Sequence, residues 1–110
     1  MPVPTNEQMT KLFVLFLTKG PEWSPENSPD YDRLQIEHVE YQLFLRKSGK
    51  TILVGPLVDN GDIRGLTVFK VNTAEEVKNL IENDPAVSAK VFNYIIHPWM
   101  VENEAINSIL

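Results

Sequence analysis

The hydrophobic positions of the chain fall into six periodic stretches, and the period alternates between that of a strand and that of a helix. Lys11 to Leu17 is apolar on both alternating sets, Leu12/Val14/Phe16 and Phe13/Leu15/Leu17. That run predicts a strand covered on both faces, at the centre of a sheet. From Asp30 the period becomes helical. Tyr31, Leu34, His38, Tyr41 and Leu45 share one face, and Ile36, Val39 and Leu43 make a second apolar flank, which predicts a helix packed on two sides. Asp30 is its expected cap, with Arg33 where a capping box asks for an acid, and Gly49 is its expected left-handed stop. Thr51 to Val58 predicts a second strand, interrupted by Gly55-Pro56. Asn60-Gly61 within Asp59 to Asp62 predicts a tight hairpin with two positive-φ residues, so Ile63 to Val71 returns antiparallel. Thr73-Ala-Glu-Glu76 is a full capping box for a helix over Ala74 to Glu82, and Asp84-Pro85 opens one further turn through Ala89. Lys90 to Trp99 predicts a last strand, stopped by Pro98.

Strand, helix, strand, strand, helix, strand is the order of an α+β ferredoxin-like split βαβ fold, with both helices on one face of an antiparallel sheet. The other face is also apolar, since Leu66 and Val68 oppose Ile63, Thr67, Phe69 and Val71 along the third strand. A broad apolar sheet face predicts a homodimer packed sheet to sheet. Outside these elements, residues 1–10 are expected to be a flexible arm. Thr18 to Pro29, with Gly20, three prolines and Trp23, reads as a long loop of the kind that borders a site. Its Trp23 is either a lid or, more plainly, a residue packed on its own domain. The tail from Met100 to Leu110 spaces Ala105, Ile106, Ile109 and Leu110 as an apolar helical edge. No internal repeat or low-complexity segment is present.

Composition narrows the chemistry. The chain has 110 residues, one domain's worth, with 43% hydrophobic and 23% charged residues, as in globular proteins. Ten basic against fifteen acidic residues leave a net charge of -5 and no basic block, which argues against nucleic acid as a partner. There is no cysteine, so thiol nucleophiles, disulfides and cysteine metal sites are excluded, and the cytoplasm is the default expectation. Leu12 to Leu17 is too short to span a bilayer and lacks a signal peptide's flanks, so no membrane partner is expected. No nucleophile elbow, phosphate loop or dinucleotide glycine pattern occurs.

His38 is the local misfit, a polar ring within an apolar helical stripe. The plainer reading is a core histidine satisfied by one hydrogen bond; the sharper one is a proton-transfer group. Together with Gly49, Leu53-Val-Gly55-Pro56, the hairpin, Gly65 and Asn83-Asp84-Pro85, the run His38-Val-Glu-Tyr41-Gln-Leu-Phe-Leu45 resembles the YCII-related family of small dimeric α+β barrels. The resemblance spans about Lys11 to Trp99. It implies that His38 and Asp84 form an active-site pair, with Asp84 orienting the imidazole. The chain departs from the commonest family pattern in having Ala86 after Asp-Pro, where a larger aromatic is frequent, and in its long first loop.

Asp84 has a competing role as a helix cap. Tyr41 is a candidate substrate donor or an aromatic filler, and Gly55-Pro56 offers bare backbone to a ligand or merely bends a strand. A metal shared by His38 and His97 is disfavoured, because no third ligand is indicated. Three functions follow as expectations. The first is a cofactor-independent lyase or isomerase acting on a small cyclic or aromatic-derived acid, with His38 as acid or base and Asp84 as orienter. The second is a non-catalytic dimeric module that binds a small metabolite or serves as a structural partner. The third, an oxygenase of the dimeric-barrel kind, rests on fold analogy alone.

Overall fold

A computed structural model describes residues 5–109. Its sheet has four strands, β1 (Met9–Lys19), β2 (Thr51–Pro56), β3 (Ile63–Phe69) and β4 (Phe92–Glu102), in the order β2-β3-β1-β4. Every neighbouring pair is antiparallel. Helices α1 (Pro29–Lys47), α2 (Ala74–Ile81) and α3 (Pro85–Ser88) connect them, and α4 (Asn103–Ile109) follows β4. This is the ferredoxin-like arrangement expected from the hydrophobic pattern, with β1 at the centre.

The two alternating sets of β1 meet different surroundings. Phe13, Leu15 and Leu17 join Leu45, Phe69, Val77, Ile81, Ala86, Val91 and Phe92 in the main core beneath the helices. On the opposite face, Leu12 packs with Ile52, Val68 and Ile106, so α4 covers one end of the sheet's second face. Val14 and Phe16 continue that face as a groove of about 840 Å³, walled also by Leu53, Leu66, His97 and Trp99.

Several boundaries differ from expectation. The predicted N-terminal arm includes residues that are strand: Met9 and Thr10 pair with Glu102 and Val101, because β4 runs four residues past Pro98 and offers them a partner. Met1 to Pro4 lie outside the described residues. Pro98 sits opposite Phe13 without ending the strand, since β4 is an edge and the missing N–H can face outward there. Of the predicted tail edge only Ile106 is buried, Ala105 and Ile109 are exposed, and Leu110 lies outside the described residues. The cap of α1 is Ser28, whose hydroxyl accepts from Tyr31 N at 3.1 Å with Pro29 in the first turn, and not Asp30. At the other end Gly49 has φ 77°, and Lys50 N to Leu45 O (3.0 Å) with Gly49 N to Arg46 O (3.1 Å) completes a Schellman motif.

The predicted tight Asn-Gly hairpin is replaced by a wider connection. Only Asn60 has positive φ (58°), and Gly61 N turns back to Asp59 Oδ1 at 3.4 Å, so the loop takes up Leu57 to Asp62 and β2 stops at Pro56. Strand β3 likewise ends at Phe69 rather than Val71. Thr73 caps α2 through Glu76 N at 3.1 Å, while the Glu76 carboxylate takes Lys50 Nζ at 3.3 Å instead of closing the box. The second apolar flank of α1 is not packed: Ile36, Val39 and Leu43 are all about half exposed.

Candidate active site

The site begins with the geometry of α1. His38 and Gln42 are four residues apart, one turn, so both side chains leave the same face toward the turn that follows α2. Asp84 waits there because its own backbone is fixed: it caps α3, its Oδ1 accepting from Ala86 N at 2.9 Å, with Pro85 opening the turn. Its other oxygen is then presented to α1. Oδ2 accepts from His38 Nδ1 at 2.6 Å and from Gln42 Nε2 at 2.9 Å. Behind them Thr67 Oγ1 donates to Gln42 Oε1 at 3.4 Å, tying the group to β3.

Burial gives these bonds their weight. The Asp84 side chain is 0% exposed and that of His38 14%, so the carboxylate lies beneath the imidazole and away from water. An ionised carboxylate only accepts, so Nδ1 carries the proton and Nε2 of the neutral ring is left bare. The Phe92 ring, 5.3 Å from the His38 centroid, restricts the imidazole on another side. Held at Nδ1 and packed laterally, the ring offers Nε2 to a bound molecule and can accept a proton there or, once charged, give one up.

His38 opens onto a cleft of about 850 Å³, a volume within the range of small-molecule sites. Leu17, Leu66 and Phe92 supply apolar wall, Gln42 and Thr67 reach it from the buried network, and Trp23 closes it from the first loop. That loop is pinned by Gly20, whose N–H donates to Val91 O at 2.8 Å; a Cβ at Gly20 would collide with the Lys90 carbonyl. Trp23 therefore packs on its own domain and lines the cleft at once. Lys19 Nζ stands 4.2 Å from its ring centroid and Arg64 Cζ 5.3 Å.

His38 and Asp84 are brought into contact, and Gly55 and Pro56 lie in the cleft lining with their faces exposed. Tyr41 stands apart. It does not line the cleft, and its hydroxyl donates to Leu80 O at 2.6 Å, bracing α1 against α2. Burial, and after it the charge of Asp84, push its phenol above the ordinary value, with the Asn83 side chain acting in the opposite sense. His97 pairs with Val14 and meets Phe16 edge-on at 5.8 Å, on the sheet face opposite His38. Among the described residues no group of three or more histidine, cysteine, aspartate or glutamate side chains could hold a metal ion, and no helix is long and apolar enough to cross a membrane.

Gln42, Thr67, Trp23 and Arg64 are the parts of the cleft that sequence reasoning either passed over or left open. Gln42 had a visible signal, since it is a polar residue one turn beyond His38 within the apolar helix. Thr67 and Arg64 had none, because only strand register and loop path bring them there.

A comparison with curated proteins found no match. Among solved structures the chain is similar to the 5-chloro-2-hydroxyhydroquinone dehydrochlorinase (TftG) of Burkholderia phenoliruptrix AC1100, in complex with 2,5-dihydroxybenzoquinone. The TM-score is 0.55 at 24% identity, over 80% of this chain and 92% of that one, a likeness of fold. The YCII-related domain model matches residues 12–100, from the central strand to the edge strand that frame the cleft, and the chain therefore belongs to the YCII-related domain family.

Proposed function

We propose that the protein is a cofactor-independent enzyme of lyase or isomerase type, acting on a small cyclic or aromatic-derived acid with His38 as its acid-base group. The observation that carries this reading is the 2.6 Å contact between His38 Nδ1 and a fully buried Asp84 at the edge of the cleft. Nε2 removes a proton from the ring substrate, Asp84 stabilises the resulting imidazolium, and the same nitrogen returns the proton to another atom of the substrate or to the leaving group. Gln42 and Phe92 act as positioning residues. Gly55 and Pro56 present backbone to the ligand, whereas Tyr41 acts through the frame. The similar solved structure is described as a dehydrochlorinase of a chlorinated hydroxyhydroquinone, an elimination from a hydroxylated ring, which agrees with this class of chemistry.

The working unit in this proposal is a cytoplasmic homodimer joined through the apolar groove of Val14, Phe16, Leu66 and Val68. The test is a screen of hydroxylated and carboxylated ring compounds for conversion, with His38→Ala as control. Turnover that falls by about a hundredfold or more in the variant supports the assignment; turnover that survives unchanged rejects it.

A non-catalytic binding module is the second reading, favoured by one observation. Asp84 already accepts from Ala86 N and Gln42 Nε2, so its bond to His38 also serves as a structural pin. In that case His38→Ala weakens the fold and leaves small-molecule binding in place.

A further inference from the structure

We infer that Arg64 is the specificity-determining residue of the His38 cleft, receiving an anionic group of the substrate, a carboxylate or an ionised ring hydroxyl. This rests on the cleft being the substrate site proposed above. The sequence is acidic, with 15 Asp and Glu against 10 Lys and Arg. The cleft lining reverses that balance: it contains no Asp or Glu, and Arg64 is its one Lys or Arg. Asp84 contributes its charge only from beneath His38, where it is already committed to three donors. The cationic groups that face a ligand are thus Arg64 and, when protonated, His38.

The state of the guanidinium supports the assignment. Arg64 is half-buried, and among the described residues it joins no ion pair. One of its N–H groups is spent, since Nη1 donates to Gly61 O at 3.0 Å, and its Cζ lies 5.3 Å from the Trp23 ring centroid. A guanidinium carries five donors in a fixed fork. The Gly61 bond and the Trp23 contact fix its direction and leave donors for a planar anion, which such a fork binds in bidentate fashion. The same two contacts join the first loop to the β2–β3 loop, so an anion on Arg64 sits where both loops close on the cleft. A ring anchored there by its anionic group is oriented for His38 Nε2 by two points rather than one.

Two probes of similar ring size separate charge from shape: 2,5-dihydroxybenzoquinone, whose hydroxyls are vinylogous acids ionised at neutral pH, and hydroquinone, which is neutral there. Calorimetric titration of each into the full chain is expected to show the ionised ring preferred. Arg64→Gln reduces affinity for the ionised ring by about tenfold or more and leaves hydroquinone within about twofold, while Arg64→Lys recovers part of the loss. Thermal melting of both variants separates a lost loop clamp from a lost receptor. An unmodified chain with no preference for the ionised ring, or an Arg64→Gln variant that keeps it, overturns the proposal. Binding is read without turnover, so turnover that survives His38→Ala in the activity screen counts against the enzyme reading and leaves the Arg64 result to stand or fall by itself.

Discussion

One histidine lies on each side of the sheet, His38 on α1 above one face and His97 on β4 at the other, and the contrast between them shows what burial and partners do to the same side chain. On the helix-covered face His38 meets a carboxylate that is 0% exposed, itself bound to Gln42 and to the first turn of α3. On the open face His97 meets the edge of Phe16 in an apolar groove, and among the described residues it forms no ion pair with a carboxylate. The first histidine is held in direction by that carboxylate, an arrangement that suits the proton transfer proposed above. The second is an aromatic-sized piece of a surface suited to a partner sheet. Buried polar groups are costly unless paired, so the helix face is where substitutions are felt most.

The largest expected effect comes from exchanging the two histidines' fates. His38→Ala should lower turnover of an identified ring substrate by about 10² to 10⁴-fold, whereas His97→Ala stays within a few-fold, as read from kcat/KM. Equal losses would remove the distinction between the faces. Next, Asp84→Ala strands His38 Nδ1, Gln42 Nε2 and the Ala86 amide together and should cost about 3 to 5 kcal/mol in urea unfolding. On the open face, the homodimer proposed above predicts that the unmodified chain sediments as a dimer and that Phe16→Asp, which puts a charge into the groove, shifts it to monomer, a penalty of about 2 to 3 kcal/mol. A variant that stays dimeric would move the interface elsewhere.

Smaller effects sharpen the contrast within the helix-covered side. The Tyr41 phenol is raised above its ordinary value of 10.0 by burial and then by the charge of Asp84, so the protonated form is the one the fold favours. Its contribution is complete below that pH and disappears as pH rises through the folded-state value. Tyr41→Phe should therefore flatten the alkaline limb of the stability curve and, through the lost bond to Leu80 O, lower neutral-pH stability by about 1 kcal/mol. A stability curve unchanged above pH 10 would sever that link. The threonines facing this core give the finest test. Thr67→Val removes the donor to Gln42 and should cost about 1 kcal/mol, while Thr51 Oγ1 is buried with no partner among the described residues, so Thr51→Val should be neutral or stabilising.

The arrangement of elements was readable because it depends on local periodicity. Both alternating sets of β1 are apolar, which placed it at the centre of the sheet; on the second face Leu12 is covered, while Val14 and Phe16 are half-buried and line the groove. His38 stood out as a polar group in an apolar stripe, and Gly49 and Thr73 announced their caps through local backbone chemistry. Reading failed where a distant segment supplied the partner. Met9 and Thr10 carry no strand signal of their own and are ordered by the extension of β4. Asn60-Gly61 looks like a tight turn, yet Asp59 and the neighbouring Arg64 to Gly61 bond shape a wider loop.

The sequence by itself determined the order of elements, the central place of β1, the amphipathic helix and the presence of a titratable ring within it, since each follows from spacing along one segment. The tertiary structure decided that Asp84 reaches His38 rather than serving only as a cap, that Gln42 joins them while Tyr41 turns to Leu80, and that Arg64 is the one guanidinium lining the cleft. Those choices depend on where separate segments cross, and a hydrogen bond is sensitive to tenths of an ångström that no periodicity in the chain encodes.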